Sequence, residues 1–402
     1  MKRKKMSNPV EDGPRQTSIQ SIPELPMVIW IDILSRLPVK TLFNCRCVCT
    51  SWLHIISDPQ FAKTHLAMSQ HCPLLLPTHP IDAAFSRTVF LIEGNNGNNL
   101  DAKINLNSRL YLPKCDPNPK IISERDFSVV NSCNGLLCLS KSGSGDPVIV
   151  CNPITGEYIT LPEPMRNTSK LLVSGLGFIS RTNQYKVMRM FVLVINEVIV
   201  RWVVQNHTIG TGSWTRIHYL ECPLPCRPTP WNGIFLNGAI NWFCNDRRSS
   251  KFIVAFDFEN ERFQVVPPPP HFGAGQKVDI SEMKMGILGG SLCISHFSSN
   301  GHLDVWVMMD YGVQGSWTKA ISIGPFPSGL YQRIKYQNNG EILMFNRGTA
   351  PVSYNPVRKS FSYLKFHGIV SDFEAIAHIP SFVSLKDVVV GDTVVVLNVK
   401  SR

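Results

Sequence analysis

Charge is scarce in this chain, and so are the marks of an enzyme, a membrane protein or a secreted one. Only 17% of the 402 residues are charged against 44% hydrophobic, so the chain has the means to bury a core and is not a solvated polymer. No long apolar run is present. The most apolar stretch, Phe191 to Val204, is broken by Asn196, Glu197 and Arg201 and cannot cross about 30 Å of hydrocarbon as a helix. The opening Met1-Lys2-Arg3-Lys4-Lys5 is followed by polar residues and not by the apolar core of a secretory signal. A soluble, intracellular protein of the nucleus and/or cytoplasm is expected, and the basic start fits either a nuclear-import signal or a disordered terminus. On that reading the sequons at Asn167 and Asn206 carry no meaning.

Twelve cysteines are too few for a disulfide scaffold of this length, so reduced thiols are expected. Cys45, Cys47 and Cys49 alternate, which on a helix points them to different faces. With no CxxC pair or His partner nearby, no metal site is expected. There is no Gly-x-Ser-x-Gly elbow, no Walker loop and no zinc-protease helix, and Gly175-Leu176-Gly177-Phe178-Ile179-Ser180 lacks the last glycine of a dinucleotide site. The eleven histidines are isolated. Neither catalysis nor a cofactor is expected. The net charge of +11 favours acidic partners at long range, but after residue 5 the basic residues are scattered, so no nucleic-acid or membrane footprint is expected.

What is present begins after a polar tail, residues 1 to 20. From Leu25-Pro26 onward, Ile29, Ile33, Leu34 and Leu37 recur at helical spacing until Pro38. A second helix is expected from about Lys40 to Val48, with Leu42, Phe43 and Cys45 or Val48 inward. A third, capped by Thr50 or Ser51, carries Trp52, Ile55 and Ile56 and ends near Asp58-Pro59. Three helices in so few residues bury little and need a partner or the next domain to pack against.

Ile22-Pro23-Glu24-Leu25-Pro26, Asp32 to Lys40 (Asp-Ile-Leu-Ser-Arg-Leu-Pro-Val-Lys) and Arg46 to Trp52 (Arg-Cys-Val-Cys-Thr-Ser-Trp), followed by Ile56 to Phe61 and His65-Leu66, resemble an F-box over about 45 ungapped residues. Met27 stands where an acidic residue is frequent in that family, and Asp32 where Glu is usual. The resemblance implies docking to a Skp-family adaptor, and through it to cullin and RING subunits. Carried over by position, Leu25, Pro26, Ile33, Leu34, Leu37, Pro38, Leu42, Val48 and Trp52 would form or support the adaptor face. Apolar helical side chains with an aromatic anchor suit such a groove. Equally, Ile33, Leu42, Val48 and Trp52 are the residues a small module would use to fill its own core.

After Leu66 the helical period gives way to short apolar runs separated by Pro, Gly and Asn, which reads as strands. Three segments share one grammar: Gly135-Leu136-Leu137-Cys138 leads to Asn152-Pro153, Gly238 to Trp242 leads to Asp257-Phe258, and Gly340 to Leu343 leads to Asn355-Pro356. An aromatic follows each Asn or Asp by six residues (Tyr158, Phe263, Phe361) and Leu or Val by nine (Leu161, Val266, Leu364). Asn152, Asp257 and Asn355 are 105 and 98 residues apart. Gly-Ser-Trp-Thr recurs between these segments, at 212 and 315. The period holds two units of about 50 residues, the length of a kelch-like blade, so about six blades are expected. The Asn-Pro turns are expected to join a blade's middle strands. Tyr158, Phe263, Phe361, Trp214 and Trp317 are expected to build the core, and function to reside in non-repeating loops.

Ser132 to Cys138 and Asn152-Pro153-Ile154-Thr155 resemble the F-box-associated interaction domain of plant F-box proteins. The expected organisation is a multidomain chain, α then all-β: a disordered tail (1–20), a small three-helix F-box (21–66), a β-propeller-like domain (67–381) and a terminal strand segment or tail (382–402). The family implies a substrate-recognition subunit of an SCF-type ubiquitin ligase, non-catalytic, acting by proximity. A ligase-independent or glycan-binding propeller is the alternative. Pro267 to Pro270 is expected to be a strand-free loop, at the substrate rim or merely between blades. Asp387 to Val396 reads as a terminal hairpin or as the completion of the first blade.

Overall fold

A computed structural model of the chain describes residues 25–69, 72–77, 88–91, 104–105, 109–111, 127–141, 148–163, 169–195, 198–217, 227–228, 233–245, 253–272, 280–298, 301–324, 331–336, 341–346, 352–363, 366–367, 373–389 and 394–396. Four helices come first: α1 (Met27–Ser35), α2 (Val39–Cys45), α3 (Thr50–Ser57) and α4 (Pro59–Met68). The expected three helices are thus four. Asp58-Pro59 ends one helix and starts the next, because the Asp58 carboxylate accepts the Gln60 N–H at 2.6 Å and a proline at the first helical position gives up no needed donor. The cap of α3 is likewise Cys49, whose thiol accepts the Trp52 N–H, and neither Thr50 nor Ser51.

Strands follow: β1 (Cys72–Pro77), β2 (Thr88–Leu91), β3 (Ile104–Asn105) and β4 (Arg109–Tyr111). Sheet I holds β5 (Phe127–Cys133), β6 (Leu136–Lys141), β7 (Val148–Asn152) and β8 (Glu157–Thr160). Sheet II holds β9 (Ser169–Ile179), β10 (Gln184–Ile195), β11 (Val198–Thr208) and β12 (Thr215–Ile217). In sheet III, β13 (Arg227–Pro228) and β14 (Ile234–Leu236) share one edge of β15 (Ala239–Asn245), followed by β16 (Ile253–Asp257) and β17 (Arg262–Val265). Sheet IV holds β18 (Met283–Leu288), β19 (Ser291–Phe297), β20 (Leu303–Met308) and β21 (Trp317–Ile323). Sheet V holds β22 (Tyr331–Tyr336), β23 (Ile342–Asn346), β24 (Val352–Asn355) and β25 (Ser360–Tyr363). Then come β26 (Phe366–His367), paired in parallel with β3, β27 (Phe373–His378) and β28 (Val395–Val396). Sheet VI runs β27-β1-β2-β4. These are six antiparallel sheets of four or five strands, and their first strands neighbour one another around a ring. The ring closes inside sheet VI, where β27 pairs with β1 from Cys72↔His378 to Pro77↔Phe373. Joining the two ends of the chain in one sheet removes an open edge.

The repeated grammar falls in sheets I, III and V, and Gly-Ser-Trp-Thr at the outer strands of sheets II and IV. The Asn or Asp turn joins the third strand of a sheet to the fourth, and not the middle pair. In each turn one side-chain oxygen accepts two backbone N–H groups: Asn152 from Ile154 and Thr155, Asp257 from Glu259 and Asn260, Asn355 from Val357 and Arg358. The fourth residue after it turns left-handed each time, at Gly156, Glu261 and Lys359. The two tryptophans bolt sheets together: Trp214 Nε1–H donates to the Pro162 carbonyl at 2.7 Å, and Trp317 Nε1–H to that of Pro267 at 2.8 Å. Each proline directly follows the grammar's buried Leu161 or Val266. Leu364, the third such position, lies outside the described residues. Gly175 and Gly177 leave room for the Ile240 side chain and the Phe258 ring of sheet III, which a Cβ would strike.

The prolines at 267–270 form the strand-free loop expected, ending in a 3-10 turn whose Phe272 is buried and whose His271 stacks on Trp306. Of the C-terminal run, residues 390–393 lie outside the described residues, and the rest joins sheet I. Leu385 and Val389 are buried against sheet I, and β28 pairs as a fifth strand on β8. Asn206, one of the two sequons, is buried in β11. Among the described residues, seven cysteines are free thiols, but Cys244 in β15 is disulfide-bonded, which corrects the all-reduced expectation at that position.

The helices do not form a separate core. Leu34, Val39, Leu42, Ile55, Ile56 and Phe61 share one apolar cluster with Leu137, Leu139, Ile149 and Cys151 on one face of sheet I. Phe382 stands in the seam, with its ring edge-on to Phe43 at 5.3 Å and to His65 at 6.0 Å. The segment carrying it is fixed from the sheet side. The fully buried Asn152 amide donates to the Ser381 and Val383 carbonyls at 3.0 and 2.7 Å, and the Glu157 carboxylate accepts from Ser384 Oγ and the Leu385 N–H. Burial lowers the His65 pKa below its ordinary 6.5, and its Nε2–H donates to the Leu37 carbonyl at 3.1 Å.

Phe382→Ala should cost about 3 kcal/mol or more, the usual cost of deleting a buried ring. Asn152→Ala, which strands several backbone groups, should cost about 2 kcal/mol or more. In both variants limited proteolysis should cut between the helices and sheet I before the propeller itself is lost. A neutral buried His65 also sets a pH dependence. The unfolded chain takes up its proton near pH 6.5 while the folded chain resists, so stability present above that value is lost as pH falls below it. Thermal melts between pH 7.5 and 5.5 should show a smaller decline for His65→Gln than for the unchanged chain.

Candidate partner-docking face

Helix α1 is apolar nearly all round. Met27, Val28, Ile29, Trp30, Ile31, Ile33 and Leu34 fill most of its nine positions, and a helix of that kind has more apolar surface than one core can cover. Leu34 takes the inward side and is buried. Val28 is 76% exposed, Met27 65%, and Ile29 and Ile33, one turn apart, about as open as Leu25 at 45%. Val48, between α2 and α3, is 65% exposed, and Leu53 is also open. Among the described residues, eight of the thirteen large exposed hydrophobics lie between Leu25 and Met68. One contiguous helical module therefore carries most of the apolar surface left uncovered, the usual mark of an interaction face.

The nine residues selected from sequence divide by depth. Leu25, Pro26, Ile33, Pro38 and Val48 are exposed and available to a partner. Leu34 and Leu42 are buried in the seam core, where they support the face from behind. Leu37 and Trp52 are half-buried: Leu37 offers its carbonyl to His65, and the Trp52 ring lies 5.1 Å from that of Trp30, tying α3 to α1. Met27, Val28, Ile29 and Leu53 were absent from that set. For Met27, Val28 and Ile29 the signal is the near-complete apolarity of α1, and nothing comparable marks Leu53 on α3. The charged residue of α1 is Asp32, whose carboxylate is held below its ordinary pKa by the Arg36 guanidinium 2.8 Å away. That pair is fully solvated and leaves the apolar surface on either side uninterrupted.

No group of three or more His, Cys, Asp or Glu side chains able to hold a metal occurs among the described residues. The face offers apolar area and backbone shape.

Comparison with known proteins gives this face its context. A family model described as the F-box domain matches residues 22–64, and one described as the F-box associated beta propeller domain matches residues 108–389. Three similar proteins, all of Arabidopsis thaliana, extend over nearly the whole chain. F-box protein At3g07870 is 27% identical over 94% of this chain and 95% of its own length. F-box/kelch-repeat protein At3g23880 is 24% identical over 90% and 96%, and F-box protein CPR1 26% identical over 87% and 86%. With helices matching the F-box and most of its length matching the associated propeller, the chain belongs to the family of F-box proteins that carry an F-box associated beta propeller domain.

Proposed function

We propose that this protein is the substrate-receptor subunit of an SCF-type ubiquitin ligase of the nucleus or cytoplasm. Its F-box docks a Skp-family adaptor, and through it cullin and RING subunits, while the kelch-like C-terminal propeller holds the protein to be ubiquitinated. The F-box is the Skp1-binding module of SCF complexes. The observation that carries the reading is the exposed apolar face of Leu25, Val28, Ile29, Ile33 and Val48 on a module whose inward residues are already packed against sheet I. Burial of such a face in a partner groove supplies on the order of 1.5–3 kcal/mol per large side chain, enough for a few of them to anchor a complex. The protein's part in the reaction is proximity and not bond chemistry. A substrate held beside a charged ubiquitin carrier reacts as though intramolecularly.

The test is adaptor capture from cell extract by the intact chain and by Leu25→Ala, Pro26→Ala. Both positions are exposed, so the double variant should melt within about 0.5 kcal/mol of the unchanged chain. It should nevertheless lose the adaptor and cullin. Leu42→Ala, at 0% exposure, should instead lose about 2–5 kcal/mol of stability. Capture of adaptor by neither the intact chain nor the variant would return the protein to the class of ligase-independent interaction propellers.

A further inference from the structure

A cavity of about 200 Å³ opens among the first strands of sheets I, III, IV and VI, near the ring's axis. Its walls are aliphatic: Ile234 and Leu236 from β14, Ile287 from β18, Ile376 and Ala377 from β27. Polar side chains are present but largely committed within the protein. Asn131 exchanges two hydrogen bonds of 2.8 Å with the Leu176 backbone, Ser132 Oγ lies 2.8 Å from His378 Nδ1, and Asn134 bonds Tyr185. The exposed Asn237, at the hairpin tip between β14 and β15, stands at the mouth. No Asp, Glu, Lys, Arg or His lines the cavity among the described residues, although the chain as a whole is strongly basic.

Each feature removes a class of ligand. At about 200 Å³ the space is below the roughly 300 Å³ at which drug-sized ligand sites begin. A phosphorylated residue needs an Arg or Lys fork, and the described residues lining the cavity offer none. A sugar needs an aromatic platform with free amide or carboxyl groups, and among the described lining residues the aromatic is the half-buried Phe235. What fits is one large uncharged side chain, delivered on a chain whose backbone can meet Asn237 at the rim. Burying one such residue in a dry pocket is the usual form of an anchor at a protein interface.

We propose that this axial pocket is the substrate-anchoring site, and that it takes a single aliphatic or aromatic side chain of a partner polypeptide without any requirement for phosphorylation. The proposal rests on the receptor reading above and specifies its substrate class. It also relocates recognition from the variable loops to the strands that line the axis.

The test uses the full chain in complex with its adaptor. The probe is a set of fluorescent peptides, degenerate except for one fixed position held as Leu, Phe, Trp, Ser, phosphoserine, Asp or Lys. Leu, Phe or Trp should bind about tenfold or more tightly than Asp or phosphoserine, the factor that burying one such side chain supplies. Ala377→Leu, which fills the pocket, should abolish the preference. Ile287→Ala, which enlarges it, should shift the preference from Leu towards Trp, a change that mere loss of folding does not produce. Both variants should still capture adaptor, so failure of the pocket is read separately from failure of the F-box. Preference for phosphoserine, equal binding of all peptides or of none, or a preference unchanged in both variants would overturn the proposal.

Discussion

The seam filled by Phe382 is the constraint on which the arrangement of this molecule depends. A four-helix module of this size cannot bury enough apolar surface to stand alone, and it borrows the missing surface from one face of sheet I. The two are not simply pressed together. A C-terminal segment runs between them, its backbone gripped by Asn152 and Glu157 from the sheet and its ring gripped by Phe43 and His65 from the helices. Residues about 340 positions apart in the chain thus meet at one point, and the ring closure of β27 with β1 lies directly before that segment. The helices, the ring closure and the C-terminal segment therefore pack on one another at that point.

The ring itself is specified by a short vocabulary used repeatedly. An Asx turn fixes the reversal into the outer strand, an aromatic six residues later packs across it, and a buried aliphatic is followed by a proline whose carbonyl receives a tryptophan from the next sheet. Trp214 and Trp317 occupy equivalent places, and so do Pro162 and Pro267. The alternation of two motifs with a period near 100 residues is the covalent trace of odd sheets bolted to even ones. Legibility here was high because repetition turns weak local signals into a strong joint one: six sheets, the core roles of Trp214, Trp317 and Phe263, and the strand-free prolines all follow from spacing.

Where the reading failed, the cause was context that a local pattern does not contain. Asp58-Pro59 looks like a terminator, and it is one, but the same pair is also an N-cap with proline at the first helical position. Only the register of Phe61 and His65 on the seam shows that a helix continues. Cys244 carries no local mark of its disulfide. The residues chosen for an adaptor face are mixed in depth, because Leu34 shares a period with Ile33, and Leu42 follows on α2, but both are buried against the sheet.

For a receptor of the proposed kind, the seam has a direct bearing on how proximity is delivered. A substrate tethered by a flexible linker samples a large volume and gains a modest effective concentration, whereas a rigid scaffold confines it to one region beside the transferring group. The apolar face on α1 and the axial pocket are joined here through packed side chains and strand pairing, from α1 through Leu34 and the seam to sheet I and on to β5. No stretch of unstructured chain intervenes along that path. The core that stabilises a marginal helical module therefore also fixes the position of the docking face relative to the axis. Stability and geometry are imposed by the same residues: Phe382 packs in one cluster with Leu34 of α1 and with Ile376, which lines the axial pocket.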